Sequence, residues 1–374
     1  MRRWIAAAGE GRLPSLARRA VPGTFTISLD FELFWGVHDK RTLKDYGRNI
    51  LGVREAIPRM LEAFERCGIH CTWATVGFLF FDDKEELLQY LPQERPRYAN
   101  PALSPYPLIA GIGPTERRDP YHFGLSLVRR IQDCPHQEIG THTFSHFYCL
   151  EDGQTPEAFR ADLEAARRSA ARLGITLRSL VFPRNQFSPA YLGICRAAGI
   201  DAVRGNQRFW MFRSRGEAGE RLIKKIGRRL DHYLPLSGYN GVTPELESSG
   251  IVNIRASRFL LAVPNRSTLF GPLCQRRISA AMTNAATAGR IFHLWWHPHN
   301  FGSHVDDNMA ILRQILAHYR ALAEEHGMVS RNMGEVAAAV RAGVSQSLEE
   351  LRPAEAMEPG LESMKAARVS VTTN

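Results

Sequence analysis

The stretch TFTISLDFEL, residues 24–33, decides the expected fold. Its first seven residues, 24–30, are rich in β-forming side chains and end in an acid, which predicts a buried strand. Residues 49–66 follow with apolar side chains at helical spacing and stop before Gly68. The two segments therefore predict one βα unit with an acid at the end of its strand, where parallel sheets bind their ligands.

The same alternation of strand and helix continues along the chain. Further strands are predicted at 71–78, 138–142, 179–183, 202–204, 251–254 and 290–297. Further helices are predicted at 83–91, 123–133, 156–173, 189–198, 270–287, 306–325 and 334–341. This order indicates an α/β fold with a parallel sheet and outer helices, arranged as a doubly wound sheet or as a barrel.

Two internal segments depart from the alternation. Residues 92–121 are rich in proline and are expected to form a long loop that roofs or flanks a cleft, and residues 205–250 lose the pattern. The expected organisation is a basic N-terminal arm at 1–21, a barrel at 22–341 and a flexible tail at 342–374.

The composition is that of a folded, basic protein. Its 374 residues contain 48 Lys and Arg against 38 Asp and Glu, for a net charge of +10. Such an excess favours phosphate groups or anionic membranes as partners, although it is also compatible with a plain basic surface. Aromatic and basic residues do not interleave as in a nucleic-acid module, so a nucleic-acid partner is not expected.

The cysteines and the N-terminus bear on the compartment. Six cysteines are sparse for this length and lie in predicted core elements, so we expect free thiols in a reducing compartment. No run of 18 apolar residues occurs, and Arg12, Arg18 and Arg19 interrupt any signal-peptide core. We therefore expect a cytoplasmic protein that can also associate peripherally with a membrane.

Two histidines four residues apart, His142 and His146, follow the predicted strand 138–142. At a strand end both imidazoles can turn toward one point, and neutral imidazole is a common zinc ligand. Such a pair on its own is as compatible with ordinary surface or hydrogen-bonded histidines.

Two acids strengthen the metal interpretation. Asp30 and Glu32 are two positions apart at the end of the first strand, so the period of a strand places both carboxylates on one side. Two histidines and one carboxylate make a three-ligand site that leaves a coordination position for water.

The order of four motifs resembles that of the polysaccharide deacetylase family, with its NodB homology domain and carbohydrate esterase family 4 members. These motifs are the acid pair, the segment His142–Thr143–Phe144–Ser145–His146, the Pro183–Arg184 pair and the late His297–Pro298 pair. The resemblance covers about residues 22–341. It implies a distorted or incomplete (β/α) barrel of the glycoside hydrolase and deacetylase type. It also implies a metal-dependent hydrolase of carbon–nitrogen bonds other than peptide bonds, with Zn²⁺ as the expected ion and Co²⁺ or another divalent ion as alternatives.

The resemblance also implies roles for single residues. Asp30 is expected to be the base, Glu32, His142 and His146 the metal ligands, and His297 the acid. The family's usual first motif has two adjacent aspartates, whereas here the second acid stands one residue later and is a glutamate. The roles of Asp30 and Glu32 are therefore open to exchange.

Two further motifs imply contacts with the base and the substrate. Arg184 is expected to line the cleft and orient the base, with Asn185 beside it as a substrate contact. Trp296, before His297, is expected to contact the substrate, and Trp295 to pack in the core. The aspartate that tunes the acid histidine in this family has no defensible position, although Asp201 and Asp231 are candidates.

The expected substrate is an N-acylated, most simply N-acetylated, amino sugar, linked to a nucleotide or a lipid in the synthesis of a surface glycan. The alternatives are a non-sugar amide or imide, and a metal-free relative that only binds. Residues 217–234 predict a basic amphipathic helix that can lie on an anionic membrane or pack on the barrel with a solvated basic face. Its apolar face comprises Leu222, Ile223, Ile226 and Leu230, and its basic face Lys224, Lys225, Arg228 and Arg229.

Overall fold

A curled, mostly parallel sheet forms the centre of the protein, and helices cover its outer side. The computed structural model describes residues 22–213, 216, 222–263 and 270–350. In chain order the strands are β1 (Thr24–Phe31), β2 (Cys71–Thr75), β3 (Gln137–Thr141), β4 (Ser179–Leu180), β5 (Ala202–Val203), β6 (Glu245–Leu246), β7 (Val252–Asn253), β8 (Arg258–Phe259), β9 (Ile291–Trp296) and β10 (Val329–Ser330).

The strand order explains why the sheet is an incomplete barrel. Neighbouring strands follow β6-β7-β5-β4-β3-β2-β1-β9-β8, with β10 paired to the start of β1. All these pairings are parallel except the one between β6 and β7. Within the described residues β6 and β8 do not pair with each other, so the sheet curls without closing. The expected α/β barrel of incomplete type is confirmed.

The helices alternate with the strands as the sequence predicts. They are α1 (Leu43–Cys67), α2 (Lys84–Tyr90), α3 (Leu125–Asp133), α4 (Pro156–Ala171), α5 (Leu192–Ala197), α6 (Leu222–Asp231), α7 (Gly271–Thr287), α8 (Val305–His326) and α9 (Met333–Glu350). None of the helices in the described part of the chain combines the length and the apolar character that a membrane crossing needs.

The central strand β1 separates two environments. Phe25, Ile27 and Leu29 pack under the helices, where Phe25 contacts the ring of Tyr319 in α8. The alternate residues face the inside of the barrel, where the Ser28 hydroxyl accepts a hydrogen bond from Arg204 and pairs with Nε2 of His293 in β9. This alternation carries Asp30 to the inner, carboxyl-terminal edge of the sheet.

Several element bounds differ from the sequence prediction for local reasons. Helix α1 begins six residues earlier than expected, because Thr42 and Asp45 form a reciprocal capping box at its start. Strands β2 and β4 are shorter than expected, because 3₁₀ turns follow at Gly77–Phe80 and Pro183–Asn185. Strands of two residues, such as β6, β8 and β10, carry too little sequence pattern to be predicted.

Three expected segments have separate outcomes. Helix α9 continues through Glu350, so the last helix extends nine residues past the expected boundary at 341. The expected arm at 1–21 and the rest of the expected tail, 351–374, lie outside the described residues. The proline-rich segment 92–121 contains two 3₁₀ turns and packs Tyr98 against Tyr148, in the loop that also carries His146.

Candidate active site

The carboxyl ends of β1, β3 and β9 bring acids and histidines into one cluster. Asp30 is the penultimate residue of β1, and Glu32 comes directly after this strand. His142 follows β3, and His297 follows β9. Asp30, Glu32, His142 and His146 are all buried. The expected convergence of strand ends is present in the fold.

The carboxylate of Glu32 lies between two imidazoles. Its Oε2 is 3.0 Å from Nε2 of His146 and 3.4 Å from Nε2 of His142. One ligand atom from each of the three residues lies within 4.8 Å of the others. Of the two neighbouring acids, Glu32 is thus the one whose carboxylate meets both imidazoles.

A turn and a glycine position Glu32. Leu33 has a left-handed backbone (φ 46°) and starts a 3₁₀ turn that ends at Gly36. A Cβ at residue 36 would overlap the Glu32 carboxylate, so only glycine leaves that carboxylate its place.

The loop that carries the two histidines is held from below by α4. Asp162 accepts hydrogen bonds from the backbone N–H of Phe144 (2.6 Å) and of Ser145 (3.1 Å), and from the Ser145 hydroxyl. Thr143 and His146 both have positive φ values, 64° and 58°, which turn the chain sharply after β3. The loop therefore owes its shape to a buried acid about 20 residues further along the chain.

The protonation pattern of the histidines fits a divalent metal ion. Nδ1 of His142 donates to the carbonyl oxygen of Val181 at 2.8 Å, which leaves the Nε2 lone pair free, and that buried Nε2 has no hydrogen-bond partner. Burial lowers the pKa of His146 to about 4, so its imidazole is neutral. Burial raises the pKa of Glu32, but His297, His142 and His146 outweigh burial and hold it well below its usual range. A neutral imidazole from His146, the Nε2 of His142 and a carboxylate are a ligand set that zinc accepts.

Asp30 is paired with a buried arginine that the sequence analysis did not single out. Its oxygens accept two hydrogen bonds from Arg204, each of 2.7 Å. Arg204 also donates to Ser28 and Asn185, and its guanidinium lies 4.2 Å over the ring of Trp295. Burial raises the pKa of Asp30, but the charges of Arg204, His142 and His297, Arg204 first among them, outweigh burial and lower the pKa below its ordinary value. The Asp30 carboxylate is therefore ionised and fixed in orientation.

The expected pairing of Arg184 with the base is corrected by this finding. Arg184 and Asn185 have left-handed backbones (φ 54° and 52°), and the turn that they form carries the Arg184 side chain to Asp39. The guanidinium lies 4.3 Å over the ring of Tyr148, whose hydroxyl is 3.1 Å from Nδ1 of His146. Arg184 thus supports the side of the site that holds His146.

His297 is the accessible histidine of the cluster. Its Nε2 is 3.6 Å from Oδ2 of Asp30 and 3.7 Å from Oε1 of Glu32, and about a quarter of its side chain is exposed. Asn300 lies 3.4 Å from the other ring nitrogen. His299 stacks against His297 but is buried, and burial lowers the pKa of His299 to about 3.

The two tryptophans before His297 have roles opposite to those expected. Trp296 is fully buried and stacks on Phe301 in the core, so it does not reach the substrate side. Trp295 points to the inside of the barrel and lines a cavity. The reason is strand alternation, because residues 293, 295 and 297 of this segment share the inner side.

That cavity, of about 400 Å³, leads away from His297. Arginines dominate its wall: Arg184, Arg213, Arg228 and Arg258 contribute, against a single carboxylate. Asn185 is also part of the wall, although its amide oxygen already accepts a hydrogen bond from Arg204. Asp39 pairs with Arg184 and Asp231 with Arg258, so the cavity beside the acid-histidine cluster carries a net positive charge that is partly neutralised.

Neither candidate for the tuning aspartate contacts His297. Asp201 pairs with Arg178, Arg196 and Arg341 at the opposite, amino-terminal end of β5. Asp231 accepts hydrogen bonds from Arg258 (2.9 Å) and Arg277 (2.7 Å) deep in the cavity wall.

Comparison with known proteins identifies the fold. No protein-family model and no curated protein matches the chain. Solved structures do match. A protein from Mycobacterium smegmatis described as a polysaccharide deacetylase is 13% identical with a TM-score of 0.55, and 96% of this chain covers all of it. The chain has the polysaccharide deacetylase fold.

Two further solved structures share this fold. A protein from Pseudomonas aeruginosa PAO1, also described as a polysaccharide deacetylase, is 12% identical with a TM-score of 0.50, and 85% of this chain covers 90% of it. PuuE allantoinase is 12% identical with a TM-score of 0.52, and 89% of this chain covers 94% of it. At this identity the likeness extends to the deacetylase fold alone, and the chemistry must be argued from this chain's own side chains.

Some residues of this deacetylase fold were missed by the sequence analysis. Arg204 is the last residue of the predicted strand 202–204, and the strand-end rule that selected Asp30 and His297 selects it too. Trp295 would have followed from strict alternation with His297. Asp162 lies in the middle of α4, and no local signal in the sequence distinguishes it from a surface acid.

Proposed function

We propose that this protein is a metal-dependent hydrolase that removes an acyl group, acetyl in the first instance, from the nitrogen of an amino sugar. The observation that carries the proposal is the Glu32 carboxylate placed against both imidazole Nε2 atoms, with Asp30 and His297 beside it. The buried Nε2 of His142, which has no hydrogen-bond partner, supports a bound ion at this group.

Glu32, His142 and His146 would hold the ion, and Zn²⁺ suits this ligand set best, with Co²⁺ or another divalent ion as a substitute. When bound, the ion would lower the pKa of a water molecule and polarise the acyl carbonyl group. The tautomer of His142 is fixed by the Val181 carbonyl, so its ligand nitrogen needs no rearrangement.

Asp30 is the proposed base. Arg204 keeps its carboxylate ionised and aimed, so Asp30 can accept the proton of the attacking water. Hydrolysis joins the water oxygen to the acyl carbon and breaks the carbon–nitrogen bond. The second carboxylate, Glu32, is occupied by the imidazoles, which favours this division of roles over its exchange.

His297 is the proposed acid. Its Nε2 lies 3.6 Å from Asp30, so the two side chains stand next to each other and can act on the same small group. Its partial exposure toward the cavity supports this role, because a leaving amine is expected on that side of the site. It would protonate that nitrogen as the bond breaks.

The cationic cavity supports a substrate that carries phosphate, such as a nucleotide-linked or lipid-linked amino sugar of surface glycan synthesis. In the lipid-linked case the enzyme would work at the surface of a membrane. The six free cysteines support a reducing compartment, the cytoplasm, for the protein.

A second candidate function is hydrolysis of a non-sugar amide or imide. PuuE allantoinase has the same fold, and the proposed site contains nothing that requires a sugar ring. The third alternative, a metal-free relative that only binds, is disfavoured by the complete set of Glu32, His142 and His146.

The test is an assay of zinc-loaded protein on N-acetylated amino sugars, free and nucleotide-linked, in parallel with a cyclic imide. We expect acetate release with the sugars. Asp30→Asn should keep the metal and lose about 10²- to 10⁴-fold in turnover, the range for a general base. His142→Ala should lose the metal itself. Ring opening without acetate release would favour the second function. Wild-type turnover in Asp30→Asn would show that Asp30 is not the base.

A further inference from the structure

Helix α6, Leu222–Asp231, is oriented with its apolar side outward. Leu222, Ile223, Ile226 and Leu230, here called the outer face, are between 46% and 72% exposed. Lys224, by contrast, is only 7% exposed. The alternative in which the apolar side packs on the barrel is thus not what the structure shows.

Specific hydrogen bonds hold the polar side of α6 inward. Lys224 donates to the carbonyl oxygen of Arg213 at 3.1 Å, and Arg228 donates to that of Met211 at 2.9 Å. Asp231, at the end of the helix, is tied to Arg258 and Arg277. An amphipathic helix adapted to water shows the opposite arrangement, so the outer face requires a partner other than water.

The apolar area extends beyond the helix. Leu234, Leu236 and Tyr239 follow α6 and are exposed, and so is Phe270, whose ring lies 6.0 Å from that of Tyr233. The combined area is therefore larger than the scattered single apolar residues that a protein surface ordinarily carries.

Charge identifies the partner. From Leu222 to Asn240 Asp231 is the only acid, and it is buried beneath its two arginines. Lys225 and Arg229 are exposed and flank the outer face. A second copy of this chain would bring its own cations against these, whereas anionic lipid headgroups complement them and acyl chains accept the apolar side chains.

We propose that the outer face of α6 docks on an anionic lipid bilayer. The inner side of the same helix contributes Arg228 and Asp231 to the cavity that leads to His297, so docking places the cavity next to the membrane. The inference deepens the lipid-linked form of the proposed function and rests on that function only for the identity of the substrate. A lipid-phosphate-linked sugar would pass from the bilayer past α6 to the acid-histidine cluster.

The test is co-sedimentation of the full-length protein with vesicles of phosphatidylcholine mixed with phosphatidylglycerol, and with vesicles of phosphatidylcholine alone. We expect binding to the mixed vesicles that weakens with added salt. Ile223→Glu with Ile226→Glu should lower the partition coefficient at least ~10-fold, because two apolar side chains no longer enter the bilayer. Leu88→Glu is the control, since the exposure of Leu88 on α2 (47%) is close to that of Ile226 (51%), and this change should leave vesicle binding unaltered.

Wild-type vesicle binding by the double variant would overturn the docking surface. The docking surface would also be overturned if the wild-type protein did not bind vesicles but formed a dimer in sedimentation equilibrium, while the double variant stayed monomeric. Binding is measured without turnover, and Asp30→Asn should bind vesicles as the wild type does. Failure of the membrane inference and failure of the hydrolase proposal are therefore distinguishable.

Discussion

The charge on Asp30 depends most on one side chain, that of Arg204. The carboxylate is buried, and burial alone favours its neutral form, while Arg204 opposes this with two hydrogen bonds of 2.7 Å. Arg204 is itself fixed by Ser28, by Asn185 and by the face of Trp295. Arg204 is therefore a positioning residue that acts through the base.

Replacing Arg204 should change the pH profile of the enzyme. In Arg204→Met the largest influence that opposes burial of Asp30 is lost and only His142 and His297 remain, so the pKa of Asp30 rises and the acidic limb of kcat/KM moves up by about 1 to 3 pH units. Arg204→Lys keeps the charge and should return the acidic limb most of the way to its wild-type position. Its kcat should be lower, because the paired geometry of the guanidinium is lost. A purely structural role for Arg204 would reduce activity equally at every pH, and that result would contradict the account.

At this scale the sequence predicted residue types better than contacts. Asp30, Glu32, His142, His146 and His297 lie at strand ends, and a short repeat rule is sufficient to bring them to one edge. Contacts across the barrel, such as the one between Arg204 and Asp30, depend on register and on the turns at Arg184 and Asn185. Local patterns do not encode these, which is why Arg184 was given the role of Arg204.

Short turns after the strands decide where the ligands stand. The 3₁₀ turn Leu33–Gly36 bends the chain back so that residue 36 lies directly beside the Glu32 carboxylate. The loop after β3 has two residues of positive φ and is fixed by Asp162. Sequence periodicity predicts the strands before these turns, but the turns depend on packing with distant elements.

The contact at Gly36 leads to a prediction about metal affinity. In Gly36→Ala the new methyl group should displace the Glu32 carboxylate and weaken zinc binding by about 10- to 100-fold, as changes next to metal ligands do. The measurement is competition with a chelating dye. Gly193→Ala is the control, because a Cβ at residue 193 of α5 meets nothing within 4 Å, and its zinc affinity should stay at the wild-type value. Equal affinity in both variants would show that Glu32 does not bind the ion.

At the scale of the whole molecule, the site exists only in the folded chain. Residues from position 30 to position 297 contribute, and parallel pairing of β1 with β2 and β9 is what brings them together. Strand and helix alternation was sufficient to predict this parallel α/β architecture. The open curl of the sheet was not derivable from the pattern alone, because it depends on the two-residue strands at both edges.

The orientation of α6 is the clearest case of information that only the fold contains. The sequence showed an amphipathic helix and left open which side faces the protein. Hydrogen bonds from Lys224 and Arg228 to the neighbouring chain turn the cationic side inward. The same residues thereby gain a place in the cavity wall and leave the apolar side exposed.

The central claim is that Glu32, His142 and His146 grip one divalent ion. Anomalous diffraction at the zinc edge from crystals grown with Zn²⁺ tests it directly. We expect a single strong peak about 2.0 to 2.2 Å from one atom of each of these three side chains, on the side that faces Asp30 and His297. A peak elsewhere, or three ordered side chains with no peak among them, would contradict the account and leave only the α/β scaffold.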